Sequence, residues 1–306
     1  MPTYDQVTAN KRRSAVLIFF FVVLVAAVCL AFNYLLDFGI FGVILAFAIA
    51  GGSAFFSYWK SDTVALAMSR AQPATIEQYP RMHNVVEGLC IASGLPKPRL
   101  YIIDDSAPNA FATGRNTKHA AIAVTTGLLE KMNRIELEAV LAHELSHIKN
   151  DDILVSTLAV TMVGVVALLS DIGVRMLFFG GGRNRSNDSN GGGNIVFLVM
   201  AALALVLLIL SPIIARLMQF AVSRRRESLA DISGVEMTRY PPGLISALEK
   251  LQADQTVVNS ASRATAHLWI ESPLARTPDE GKMSRLNRMF DTHPPLEERI
   301  AALQEL

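Results

Sequence analysis

Hydrophobic residues along this chain gather into four uncharged runs separated by two longer polar stretches. Ala15–Phe32 and Ile153–Ser170 each hold 18 residues without a charge, Phe38–Phe56 holds 19, and Ile195–Ala215 holds 21. A helix needs about 20 apolar residues to cross the hydrocarbon core, so each run predicts a membrane helix. The spans (about 15–32, 38–56, 153–170 and 195–215) form two hairpins. The first run exceeds the apolar core of a signal peptide and is followed almost at once by the second, so it is read as an uncleaved anchor.

The polar stretches, roughly 57–152 and 216–306, carry mixed periodicities. Pro80–Ser93 has the spacing of an amphipathic helix closed by Gly94. Arg99–Asp104 and Ala120–Thr125 read as short strands, and Asn109–Gly114 as a third between them. A further helix begins near Asn133 or Arg134 with Ile135, Leu137, Val140 and Leu141 toward a core. Downstream, Leu217–Thr238, Pro242–Ala253, a weaker piece near Ala261–Ile270, and Pro295–Glu305 read as helical, while Arg276–Asn287 reads as loop. The expected fold class is α+β and mainly helical, an integral membrane protein with a small β-sheet. Its organisation is a first membrane hairpin (1–56), one half of a water-facing domain (57–152), a second hairpin (153–215) and the other half (216–306).

Composition agrees with a membrane class: 51% of residues are hydrophobic and 18% charged. A formal net charge of +1 provides no global basic field, so no nucleic-acid partner is expected. Two cysteines, Cys29 and Cys90, are too few for a disulfide framework and are read as packing residues. Flanking bases give the orientation. Lys11, Arg12 and Arg13 precede the first span, Lys60 and Arg70 follow the second, and Arg216 and Arg224–Arg226 follow the fourth, all on the cytoplasmic side. Arg224–Arg226 is read as marking the end of that span. The Gly-, Asn- and Ser-rich loop 171–194, with Arg175, Arg183 and Arg185, fits this rule less well, which leaves open a second hairpin that does not fully cross.

The chemistry lies six residues before the third run, in His143-Glu144-Leu145-Ser146-His147. On one continuous helix a rise of about 1.5 Å per residue would put His147 roughly 9 Å from that run. Histidines four apart project from one helix face and can bind one ion, with Glu144 placed to act on metal-bound water. A catalytic zinc takes three protein ligands and keeps one position open. No histidine follows at short spacing, so the third ligand must come from further along. Glu227 is the best candidate, with Asp231 one turn on and able to bond the far nitrogen of a ligand histidine. A solvated Arg–Glu helix face is the competing reading of that segment. His293, in Thr292-His293-Pro294-Pro295, is a candidate donor to an oxyanion, or else part of a helix-entry turn. The stretch from Asn109 is a candidate substrate-pairing edge strand or an ordinary core strand. His83, His119 and His267 fall outside any ligand pattern and are read as surface or packing residues.

In chain order, Asn109-Ala110-Phe111-Ala112-Thr113-Gly114, His143–His147, Glu227-Ser228-Leu229-Ala230-Asp231 and Thr292–Pro295 follow a familiar arrangement. Nearly the whole chain, hairpins included, resembles the HtpX-like membrane-bound zinc endopeptidases. The resemblance implies a gluzincin-like metalloprotease domain, one Zn2+ per chain held by His143, His147 and Glu227, and Glu144 as the catalytic residue. It further implies a multi-pass protein of the bacterial inner membrane with its N-terminus and active site facing the cytoplasm. The expected partners are the lipid bilayer and membrane-protein or unfolded polypeptide substrates, in membrane protein quality control and stress response. A non-catalytic scaffold or holdase and a CAAX-type prenyl-protein protease are the alternatives.

Overall fold

The computed structural model describes residues 2–36, 39–162, 224–254, 256–258, 260, 265–271 and 294–306. Two long helices open the chain: α1 (Pro2–Leu36) contains the first apolar run, and α2 (Gly39–Met68) the second. Among the described residues, α2 is the one helix long and apolar enough, by length and composition, to cross a membrane. The third run is described only to Met162, and the fourth lies outside the described residues. A four-span topology is therefore not established by these elements.

The helix α2 does not end with its apolar run at Phe56. It continues for three more turns, and Ala65 and Leu66 bury themselves against a sheet. That sheet has four strands, β1 (Gln72–Pro73), β2 (Arg99–Ile103), β3 (Ala110–Gly114) and β4 (Ala120–Thr125), in the order β1-β2-β4-β3. β2 and β4 are parallel, and β3 runs antiparallel to β4 with Ala112 opposite Ile122. The alternation of a pleated strand sends Leu100, Ile102, Ala110, Ala112, Ile122 and Val124 to one core, and Ile103, Phe111, Ala121 and Ala123 to another. Both faces are covered, which is why β4 carries no charged residue. The two-residue β1 and the short helix α4 (Thr126–Lys131) are elements that periodicity does not disclose.

Helix boundaries follow local chemistry. Helix α3 (Pro80–Ser93) starts on Pro80 and stops at Gly94, whose φ of 71° is a conformation glycine adopts without penalty. Helix α5 (Arg134–Lys149) starts with a capping box: Asn133 accepts from the Glu136 backbone N–H, and the Glu136 carboxylate accepts from that of Asn133. Its Leu137, Val140, Leu141, Leu145 and Ile148 fill the main core with α3 and the first sheet face.

α5 is not continuous with the third apolar run. Asn150 caps it, Asp151 takes a left-handed φ of 53°, and a new helix α6 (Asp152–Met162) departs. Val155, Leu158, Ala159 and Met162 of α6 share an apolar cluster with Leu17, Phe21, Val25 and Ala26 of α1 and Ala50 of α2. The remaining elements are α7 (Arg224–Thr238), α8 (Pro241–Ala253) and α9 (Leu296–Gln304). Of the helix expected near Ala261–Ile270, residues 261–264 lie outside the described residues, and the rest holds a single 3-10 turn, Ala266–Leu268, followed by extended backbone at Trp269. Trp269 there stacks edge-on against Phe111 at 4.9 Å. The Arg276–Asn287 loop lies outside the described residues.

Candidate active site

His143, Glu144 and His147 project from α5, which packs against β3 and against α7. α7 comes close to α5 at Gly234, where a Cβ would meet the His143 backbone N at 3.1 Å and Cα at 3.2 Å. A bare α-carbon there lets α7 lie against the histidine helix, with Glu227 within reach of both imidazoles and Asp231 of His143.

His143 Nε2 stands 3.2 Å from His147 Nε2, 3.6 Å separates it from Glu227 Oε2, and His147 Nε2 is 3.7 Å from Glu227 Oε1. These three side chains could hold a metal ion, their ligand atoms all lying within 4.8 Å of one another. The tautomers fit that use. His143 Nδ1 donates to Asp231 Oδ1 at 2.9 Å, and His147 Nδ1 faces Asp152 Oδ2 at 3.4 Å. With Nδ1 turned to a carboxylate, each imidazole in its neutral form presents the Nε2 lone pair to a cation between them. Tetrahedral zinc, with bonds of about 2.0–2.1 Å to nitrogen, puts its ligand nitrogens at a comparable separation.

Electrostatics point the same way. Burial holds His143 below its usual pKa and thus neutral, against the pull of Asp231. At His147 burial also opposes charge, but Glu227, Asp152 and Glu144 outweigh it and push the imidazole up to about 9. The carboxylates around His147 thus favour positive charge at this position, whether a proton or a bound cation supplies it. Glu144 is fully buried; desolvation, assisted by Glu227, raises its carboxyl to about 7, while the Ala112 N–H donates to it.

The cavity beside these groups is lined by Ala112, Glu144, His147, Asp152, Arg226 and His267, among others. Two of these have roles that the sequence reading left open. Arg226, read as marking the end of the fourth span, is buried, with Nη1 4.0 Å from Asp152 Oδ1. His267, read as a surface or packing residue, is buried at the cavity, its Nε2 2.9 Å from the Ser156 carbonyl. Asn109 does not line the cavity; its Nδ2 donates to the Glu271 carbonyl at 3.0 Å, pinning the start of β3. His293 lies outside the described residues.

Asp152, beside His147, and Arg299 both escaped sequence reasoning. Arg299 of α9 is buried and grips Asp231 with two bonds, Nε to Oδ2 at 2.9 Å and Nη2 to Oδ1 at 2.6 Å, while Nη1 donates to the Ile270 carbonyl at 3.1 Å. Burial alone would raise the Asp231 carboxyl, but Arg299 and His143 hold it well below the usual carboxylate range. A signal was present: Leu296, Arg299, Ile300 and Leu303 lie on one helical stripe, so this charge sits on an apolar face and requires a buried partner.

Comparison with known proteins extends these observations to the chain as a whole. Residues 77–306 match the family described as Peptidase family M48. The chain is 45% identical over 304 residues to "Protease HtpX homolog" of Streptococcus mutans serotype c, covering 99% of each. It is 41% identical over 301 residues to the protein of that name in Dictyoglomus thermophilum, covering 98% of this chain and 94% of the relative. The crystal structure of S. mikatae Ste24p covers 98% of this chain and 67% of that one, at 17% identity and a TM-score of 0.48.

Proposed function

The chain belongs to peptidase family M48 and is an HtpX-like metalloprotease, and on that basis we propose that it is a zinc endopeptidase that cleaves misfolded or damaged membrane proteins at the cytoplasmic face. The observation carrying this reading is the convergence of His143, His147 and Glu227 beside a buried Glu144 whose carboxyl is raised to about 7.

Zinc held by these three residues would act as a Lewis acid and make hydroxide available near neutral pH. Glu144 takes the proton from water and later passes it to the departing amine, a role suited to a carboxyl raised to about 7. Asp231 and Asp152 keep the two histidines in the tautomer that presents Nε2. β3 is the sheet-edge strand beside the cavity; its Ala110 carbonyl accepts from Ile270 N–H and its Ala112 N–H donates to Glu144, so an extended substrate would pair through the Ala112 carbonyl.

Four spans, an N-terminus in the cytoplasm and a protease domain divided by the second hairpin complete the proposal. In its support, both ends of the first hairpin meet the protease part: Asn10 of α1 bonds the Asn150 carbonyl at 3.0 Å, and Asp62 of α2 pairs with Arg99 at 2.5 Å. Lys11, Arg12 and Lys60 lie at that same end, as cytoplasmic flanks require.

The test uses detergent-purified full-length protein, supplied with zinc, on an unfolded model substrate. Wild type should cleave and Glu144→Gln should not, while Glu227→Ala should lose most bound zinc and keep its fold. Equal cleavage by wild type and Glu144→Gln, or no cleavage by either, would leave a non-catalytic holdase as the better reading.

A further inference from the structure

α1 lies outside the residues that match the family, 77–306, yet it reaches the metal site. Its buried stripe runs Asn10, Ser14, Leu17, Phe21, Val25, at the spacing of one helix face. The apolar members pack against Val155, Leu158, Ala159 and Met162 of α6. Asn10 sits at the end of that stripe, 3% exposed, where hydrocarbon contact gives way to the first residue of α6, Asp152.

Both hydrogens of the Asn10 amide are used. One goes to the Asn150 carbonyl at 3.0 Å, and the other to Asp152 Oδ1. The other oxygen of that carboxylate, Oδ2, is the one that faces His147 Nδ1 at 3.4 Å. Asn150 and Asp152 flank Asp151, whose left-handed backbone turns the chain back from α5. The amide therefore clamps both sides of a strained turn and fixes the rotation of a carboxylate that is itself only 4% exposed. A buried carboxylate with one oxygen held can offer the other in a single direction; without the clamp it can turn away from the imidazole.

We infer that Asn10 is a positioning residue for His147, acting through Asp152, so that docking of the first helix against α6 is a step in assembling the metal site. This rests on the reading of His143, His147 and Glu227 as the zinc ligands. The observation against a purely structural role is the sharing of one carboxylate between Asn10 and His147. A clamp for helix docking alone would have no need of the ligand's partner.

The experiment measures Zn2+ affinity by chelator competition on full-length detergent-solubilised protein, with thermal unfolding of the metal-free form alongside. Asn10→Leu keeps the side chain's bulk and removes both donors; it should weaken zinc binding by about 10-fold, the lower end of effects for groups that orient a metal ligand. Asp152→Asn should weaken binding at least as much, and Asn10→Leu added to it should cause no further loss. Lys11→Ala, which removes only the half-exposed pair with Asp151 at 3.6 Å, should leave affinity unchanged. If Asn10→Leu does not fold, Asn10→Ser, with one donor, should give a smaller loss of affinity. Unchanged affinity in the folded Asn10 variant, or a full additional loss in the double variant, would overturn the inference. Wild-type protein that takes up no zinc would overturn the ligand assignment itself, and this inference with it.

Discussion

Arg299 and Asp231 form a two-bond pair inside the protein, Nη2 to Oδ1 at 2.6 Å and Nε to Oδ2 at 2.9 Å, and the same Oδ1 accepts from His143 Nδ1 at 2.9 Å. A helix at the C-terminal end of the chain thereby orients a histidine of the α5 site through one carboxylate. The planar guanidinium suits this role, since its fork matches both carboxylate oxygens at once.

Removing Arg299 would leave Asp231 buried with its charge no longer matched. Breaking a buried pair from one side costs about 3–5 kcal/mol. Arg299→Leu should therefore lower the stability of the metal-free protein and also weaken zinc binding, read by denaturation and chelator competition. Arg299→Lys should recover only part, because an ammonium cannot make the paired bonds. Stability unchanged in Arg299→Leu would show that Asp231 does not depend on this partner.

Gly234→Ala tests the contact between α5 and α7. Its Cβ would meet the His143 backbone at 3.1–3.2 Å, tighter than ordinary packing, so one helix must shift. A displacement of a few tenths of an ångström moves Glu227 and Asp231 away from the imidazoles together. Zinc affinity should fall by about 10-fold, comparable to losing an orienting group, with a lower unfolding temperature. Affinity equal to wild type would mean that the helices can separate without cost to the site.

Acid stability should report Glu136. Burial would raise its carboxyl, but bonds from Lys250 Nζ, Ser246 Oγ and the Asn133 N–H lower it below the ordinary glutamate value. A depressed native pKa contributes stability that is present above the unfolded value of about 4.3 and is lost as pH falls through the native one. The advantage of wild type over Glu136→Gln should be constant from pH 6 to about 5 and shrink below about pH 4. Unfolding temperatures of the two proteins across that range provide the check; parallel curves would exclude the effect.

Much of this architecture is legible in residue patterns because local rules govern it. The stop of α3 at Gly94, the start of α5 after Asn133, and the strands of the sheet follow from glycine's left-handed freedom, side-chain capping and apolar alternation. The i, i+4 spacing of His143 and His147 puts both imidazoles on one face of any helix that forms there. Where periodicity failed, the segment was short or its cause distant. The two residues of β1 cannot display a period, and the Ala266–Leu268 turn owes its place to Trp269 packing on Phe111.

By itself, the sequence determined that apolar runs alternate with a polar domain, that two histidines and a glutamate share a helix, and where most helices begin and end. Each of these depends on neighbours within a turn or two. Tertiary structure alone decided that α2 runs on past its apolar segment to cover the sheet, that Arg226 and His267 line a cavity, and that Arg299 and Asn10 reach the histidines through Asp231 and Asp152. Those relationships join residues up to 156 positions apart, such as Arg299 and His143. The physical reason is that a buried polar group must find its partner wherever packing brings one, and sequence spacing does not encode that meeting. What the pattern does reveal is the demand: Arg299 interrupts an apolar stripe and Asn10 ends one, and the fold supplies the carboxylate that each requires.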